Sequence, residues 1–588
     1  MTSRRLRRRP RTEAGYAAIL VSVLVPVVFM GLAAISVDVA RWYVELARVQ
    51  KAADAAALGG VTYMPQDLAN AQQTAREVAA RNGYSNSGTT SVVATEGDRP
   101  SQLKVTVSST IHNTFGALIG LPETTLTRHA IADYTGPAPM GSPCNTFGNE
   151  PVGDGETSEL TIPVGGAVCP RLPEFWMTVH GPNVFKTQGD EYHTRVCDGN
   201  ESDCDGDENN EEYSPEGYIM LVRVLPDAVG SPINLEIYDP AYVSTSSTCS
   251  SDPQGSFPET GPGWNRQPMN DWNEFTTDGW ERYERSAGEF CSGDDENNSL
   301  REGGKEATVT SFGLRAPVDT FDPLEADPVP GCAVQYPGYN NEDVHVQKLL
   351  STHEQYDRDL AAVFHHWVDL CTFTPTEAGD YYLQVRTNVE LGGDPDDGYG
   401  GYRGSGAQKV YTQAGDDLDE DGTGSNRFSV RAISDQADAV SVAGWERMPI
   451  FANSDSADPI FNLIRVLPGA AGKNLAFKFF DVGDAASSGT MKVLLPTETT
   501  GVTLQNCTGS GKYNGALSNC QVTGIRNSSG WNGQAQIINV PIPTGYTCNF
   551  DESGGCWFRV QVSFGSGSVT DATTWTANVT GDPVRLVE

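Results

Sequence analysis

The residues in this chain best able to do chemistry are its carboxylates. Asp417, Asp419 and Asp421 alternate ahead of Gly422 in a DxDxDG run, which supplies the oxygen ligands and tight turn that open a calcium loop. The bidentate glutamate that closes such a loop is missing, because the twelfth position counted from Asp417 is Phe428. A second acidic run, Asp203, Asp205 and Asp207 around Cys204, offers the same hard ligands. Either run also reads as a solvated acidic loop, so Ca2+ is the one cofactor suggested and it is not required. His353-Glu354 begins like HExxH, but Asp357 stands where the second histidine belongs, which removes the helical ligand pair of a zinc protease. His365 and His366 are adjacent and so point apart, as packing or surface residues do. The sequence contains neither a GxSxG elbow nor a Walker loop, and it reads as a non-enzyme.

Charge and cysteine usage narrow the setting. The 76 acidic against 40 basic residues give a formal charge of -36, which repels nucleic acid and favours solubility and cations. Arg4, Arg5, Arg7, Arg8, Arg9 and Arg11 are a local exception. All 12 cysteines lie at or beyond Cys144 and none forms CxxC, the pattern of disulfides in an oxidising compartment rather than of a zinc ribbon. Cys197 with Cys204, Cys507 with Cys520, and Cys548 with Cys556 are the pairs expected from short spacing. Trp264, Trp272 and Trp280 sit among polar residues, as in a binding surface or a small loop core.

The elements that must position these groups begin with a membrane segment. Residues 14–37, from Ala14 and Gly15 to Val37, carry no charge over 24 positions, enough to span a hydrocarbon core as one helix. Arginines before it and Asp38 after it place the N-terminus in the cytoplasm and the bulk outside. Pro26 removes one backbone donor within the span, which a membrane helix tolerates. A cleaved signal peptide is the competing reading, with an apolar run longer than such peptides use. Beyond Asp38, Val39, Trp42, Leu46, Val49, Ala53 and Ala56 recur every three or four residues as one apolar stripe. The stripe suits a stalk or an assembly helix, with Gly59 and Gly60 loosening its end.

The sequence VDVARWYVELARVQKAADAAALGG that closes this region resembles the N-terminal region of TadE/TadG-like Flp pilus assembly proteins. The positions that carry the likeness are Asp38, Tyr43, Gln50, Ala52, Ala53, Asp54, Ala55, Ala56, Ala57 and Leu58. The resemblance implies a structural role among other Tad/Flp assembly proteins or pseudopilins. A prepilin glutamate is absent, Leu20 standing five residues after Gly15, which favours an anchored assembly component over a processed fibre subunit. The DxSxS metal motif of the von Willebrand factor type A domain found in some TadG-like proteins is absent too. A weaker likeness extends to about residue 134, where a helix after Asp67 with Leu68, Ala71, Ala75 and Val78 on one side precedes a strand through Leu103, Val105 and Val107. Residues 126–134 are its expected partner strand, with TFGALIGLPETT between them.

The fold class expected is mixed: an N-terminal transmembrane and stem α-helix with a small α+β pilin-like head, then a mainly β region of two antiparallel β-sandwich domains. Residues 1–13 form a basic cytoplasmic tail, 14–37 the span, 38–135 the stem and head, and 136–168 a Gly/Pro-rich linker. The sandwiches occupy 169–433, with loop insertions, and 434–588. The count of two rests on an internal repeat, Leu221-Val222-Arg223-Val224-Leu225-Pro226 recurring as Leu463-Ile464-Arg465-Val466-Leu467-Pro468 at an offset of 242 residues, with GDYYLQVRT near the end of the first unit parallel to GCWFRVQVS in the second. Function follows as a membrane-anchored structural component of a Flp/Tad-type pilus, in contact with membrane lipid and sister assembly proteins, and through its β region with a protein, cell-wall or surface ligand. The alternatives are a cell-surface adhesin or carbohydrate-binding protein sharing the anchor, and a secreted hydrolase with an unrecognised site.

Overall fold

A computed structural model describes residues 14–64, 68–97, 102–134, 138–148, 175–197, 209–244, 292–296, 307–318, 322–339, 348, 354–365, 367–395, 400–412, 421–454, 458–483, 488–526, 530–549, 555–564, 569–580 and 584–586. The chain divides into two units, residues 1–136 with 582–588, and residues 137–581.

The first unit is built on one helix. α1 (Ala14–Gly60) runs unbroken through Pro26, and α2 (Leu68–Arg81) folds back beside it. Strands β1 (Thr90–Glu96), β2 (Gln102–His112) and β3 (Glu123–Tyr134) form an antiparallel meander, with Val105 opposite Ala130. Val49, Ala52, Ala53, Ala56 and Ala57 of α1, Ala71, Ala75 and Ala79 of α2, and Val92, Leu103, Val105, Val107 and Ala130 of the sheet share one core. The apolar stripe thus faces the head, and its alanines let both helices approach closely.

The second unit is antiparallel β throughout its named strands, and the internal repeat is visible in it. Tyr218–Val224 lies between Gly379–Arg386 and Val440–Trp445, as Ile460–Arg465 lies between Trp557–Phe564 and Pro139–Met140. Ile233–Tyr238 lies between Trp367–Phe373 and Gly424–Ser434, as Asn474–Phe480 lies between Ala535–Pro541 and Val569–Thr580. The repeats join edge to edge in both sheets. Phe175–His180 pairs with Arg447–Ser454, Trp176 opposite Phe451, and Pro139–Met140 pairs with Val440–Trp445, Met140 opposite Gly444. Leading strands are exchanged: the one preceding the first repeat sits on the second, and the one preceding the second sits on the first. Edge-to-face aromatic contacts at 5.3–5.6 Å run across the junction through Phe147, Phe175, Phe461, Trp575 and Phe479, so one core serves both repeats.

Four sequence expectations change. Within the expected linker 136–168, Pro139–Met140 and Thr146–Phe147 are buried strands, because two-residue pairings onto existing strands need no periodic pattern. The boundary at 433 and 434 does not separate the sheets, since Val440–Trp445 completes the first repeat. The second sandwich stops short of residue 588: Val584–Leu586 pairs with β3, Val584 opposite Tyr134, as the fourth strand of the first unit. Gly59 and Gly60 do not loosen α1 but sit inside it. A methyl at Gly60 would lie 2.5 Å from the Ala71 carbonyl oxygen and 2.6 Å from Leu103 Cδ2, so glycine is what admits α2. Gly60→Ala is expected to destabilise the head by about 1–3 kcal/mol, measured as faster amide exchange along α2. Gly31→Ala, where nothing lies within 4 Å, should leave that exchange unchanged.

Candidate membrane-anchor and stem site

Among the described residues, the first half of α1 is left uncovered. It is long and apolar enough to cross a membrane, and none of its most apolar stretch is buried. Ile19, Val23, Leu24, Phe29 and Met30 are all more than half exposed, and Pro26 is exposed as well. Gly15 and Val37 lie within the helix. Arg4, Arg5, Arg7, Arg8, Arg9 and Arg11 lie outside the described residues.

At Asp38 the environment of the helix changes. Its carboxylate, 2% exposed, accepts the backbone N–H groups of Thr114 (2.9 Å), Phe115 (2.7 Å) and Gly116 (2.7 Å). Burial pushes the Asp38 carboxyl up. The three backbone donors and the Arg41 guanidinium outweigh this and hold it below the usual carboxylate range. Neighbouring residues extend the clasp: Arg41 Nη1 donates to Thr114 Oγ1 (2.6 Å) and Trp42 Nε1 to Asn113 Oδ1 (2.8 Å).

Further along α1, Glu45 accepts from Ser109 Oγ (2.7 Å) and Tyr84 Oη (3.1 Å). Gln50 Nε2 donates to Asp54 Oδ1 (2.7 Å) and to the His129 carbonyl on β3 (3.2 Å). Val49 and Ala53 are fully buried, Leu46 and Leu58 half-buried. Tyr43 is 72% exposed beside exposed Val44. Asp38, Gln50, Val49 and Ala53 therefore join α1 to its own head, Asp54 bonds Gln50 within the helix, and Tyr43 faces outward.

Few of the groups singled out elsewhere fall among the described residues. Asp421 accepts from Asn183 Nδ2 (3.1 Å) and lies 3.7 Å from Arg195 Nη2, donor neighbours rather than fellow ligands for a cation. Asp417, Asp419, Asp203, Asp205, Asp207, Cys204, His353, His366, Trp264, Trp272 and Trp280 lie outside the described residues. Disulfides join Cys507 to Cys520, Cys548 to Cys556, and Cys332 to Cys371; Cys197 is also disulfide-bonded. Glu498 lies near Cys548 and Cys556, but their bridge leaves no thiolate to ligate. His365 is buried, stacked on Phe364.

Buried polar groups in the second unit serve its architecture. Asp190 accepts from Tyr218 Oη (2.6 Å) and from the backbone of His180 and His193 (both 3.0 Å). Burial, partly opposed by Asp190, drives the His193 pKa down to about 3, so this imidazole is neutral across the physiological range. Asp239 and Asp481 are repeat equivalents, both in left-handed backbone (φ 57° and 56°). Each accepts a backbone N–H, from His365 (3.0 Å) and Gly533 (2.8 Å) respectively. An apolar cavity between the sheets of the second repeat is lined by Ile450, Phe461, Met491, Val562 and Trp575, with Asp571 at its wall.

Asp38 stands out in the sequence, but the residues it binds, Thr114 to Gly116, do not, and neither do Glu45 and the strand Val584–Leu586. The uncharged run NTFGALIGLP between two strands was the available signal. Because the Asp38 pKa is lowered by folding, its contribution is fully present above the unfolded value of about 3.9 and is lost as pH falls through the folded value. Amide protection at Thr114, Phe115 and Gly116, corrected for intrinsic exchange, should hold from neutral pH down to about pH 4 and collapse below. Asp38→Asn should abolish that dependence.

Neither a curated protein nor a solved structure matches the chain. Residues 15–73, which hold the exposed apolar helix, Asp38 and the start of α2, match the family model described as putative Flp pilus-assembly TadE/G-like.

Proposed function

We propose that the protein is a membrane-anchored structural component of a Flp/Tad-type pilus assembly machine, with its β-rich second unit exported for contacts with protein, cell wall or surface ligand. The observation that carries this reading is the coincidence of the family match at 15–73 with a single continuous helix. That helix is bare at one end and packed into a head at the other. Tyr43 and Val44, exposed beside residues that bind the head, offer a face for sister subunits. The arginines ahead of the span support a cytoplasmic N-terminus, and the disulfides support an oxidising location for the second unit.

The test is replacement of residues 14–37 and the outward stem positions Tyr43 and Val44 in the source bacterium by an unrelated spanning helix and alanines, keeping Asp38 and the head. Surface pili counted by electron microscopy should be lost or strongly reduced, while the exported unit is still displayed. Undiminished pili together with retained surface binding would overturn this reading in favour of an adhesin that only borrows the anchor.

A further inference from the structure

The loop between β2 and β3 carries the least expected surface in the first unit. Between His112 and Glu123 no side chain is charged, and Leu118, Ile119 and Leu121 are 83%, 64% and 54% exposed. Three large aliphatic side chains exposed within four residues on a tight turn are costly in water. The loop is also fixed in height. Asp38 immediately follows the 24 uncharged residues of α1 and binds three successive amides of this loop. Those 24 residues reach about 36 Å along a helix, a little more than a hydrocarbon core of about 30 Å. The loop is thus held where the apolar run ends.

Its backbone is suited to a low-dielectric boundary. Asn113 N–H donates to the Pro122 carbonyl (2.8 Å), Leu118 to Phe115 (3.0 Å) and Leu121 to Gly116 (2.9 Å). The Asn113 amide closes the turn on Leu121 O (2.9 Å) and Thr124 Oγ1 (2.8 Å). Pairing of these backbone groups lowers the cost of lying against the edge of the hydrocarbon, where lipid offers them no partner. The adjoining α1 residues are those of a headgroup layer: exposed Arg41, half-buried Trp42 and exposed Tyr43.

We propose that loop 113–122 is a second membrane contact, its Leu118, Ile119 and Leu121 side chains inserted among the lipids of the leaflet on the head's side, so that the bilayer grips the head as well as the span. The inference rests on the reading of α1 as a membrane anchor. Insertion fixes the tilt of the head on its stem, because two points of attachment at one depth resist rocking about Asp38.

The test uses the full chain in liposomes, with an environment-sensitive fluorophore on a single introduced cysteine and spin-labelled lipids as quenchers at shallow and deep positions. Leu118→Cys reports the loop, Val23→Cys the span, and Val93→Cys, on the exposed face of β1 well away from the loop, the aqueous head. The proposal expects deep quenching at position 23, shallow quenching with a blue shift at 118, and neither at 93. Quenching at 23 with none at 118 would overturn the loop contact while leaving the anchor intact, and would assign the exposed leucines to a protein partner instead. Absence of quenching at 23 would remove the anchor and the loop proposal together.

Discussion

One helix has to satisfy two solvents, and Asp38 is where it changes from one to the other. Before that residue α1 is uncharged and its most apolar stretch is unburied, a surface compatible with hydrocarbon; after it the helix is one-sided, with a small-residue stripe packed into a head. A carboxylate at such a boundary must be neutral or saturated with donors. The loop that follows β2 supplies three amides and so settles both its charge and the position of the head. The alanine stripe, Gly60 and the Gln50 bridge to β3 then hold the rest of the head against the same helix.

The second unit answers a different constraint, the exposed edges of two sandwiches. Joining the repeats through Phe175–His180 with Arg447–Ser454, and Pro139–Met140 with Val440–Trp445, removes an edge from each sheet of each repeat. Free edges invite pairing with other chains. The exchanged leading strands make neither repeat complete alone, which is why the aromatic contacts run without a break from Phe147 to Phe479. Sequence duplication supplied the parts, and the exchange made them one body.

What could be read from sequence was what local pattern encodes. The uncharged run and the three-four stripe of α1 are periodic, and so is the alternation in β2; the repeat at an offset of 242 residues located equivalent strands. Short disulfide loops such as Cys507–Cys520 are suggested by proximity along the chain, whereas Cys332–Cys371, 39 residues apart, is not. Two-residue strands at 139–140 and 146–147 look like linker, and a three-residue strand at the C-terminus has no signature at all. Gly59 and Gly60 were ambiguous because a glycine pair reads equally as a loose end or as a close packing point. The Asp38 partners lie 76 to 78 residues away, so only the tertiary fold shows what the carboxylate holds.

The most direct measurement of the central claim, an anchored chain with its β region outside, is membrane-impermeant thiol labelling of Ser3→Cys and Ser568→Cys in spheroplasts, combined with the mass of the membrane-bound protein. The account predicts that position 568 reacts from outside, that position 3 reacts only after lysis, and that the intact N-terminus stays with the membrane. A soluble chain cleaved beyond residue 30, or labelling of position 3 in intact spheroplasts, would contradict it.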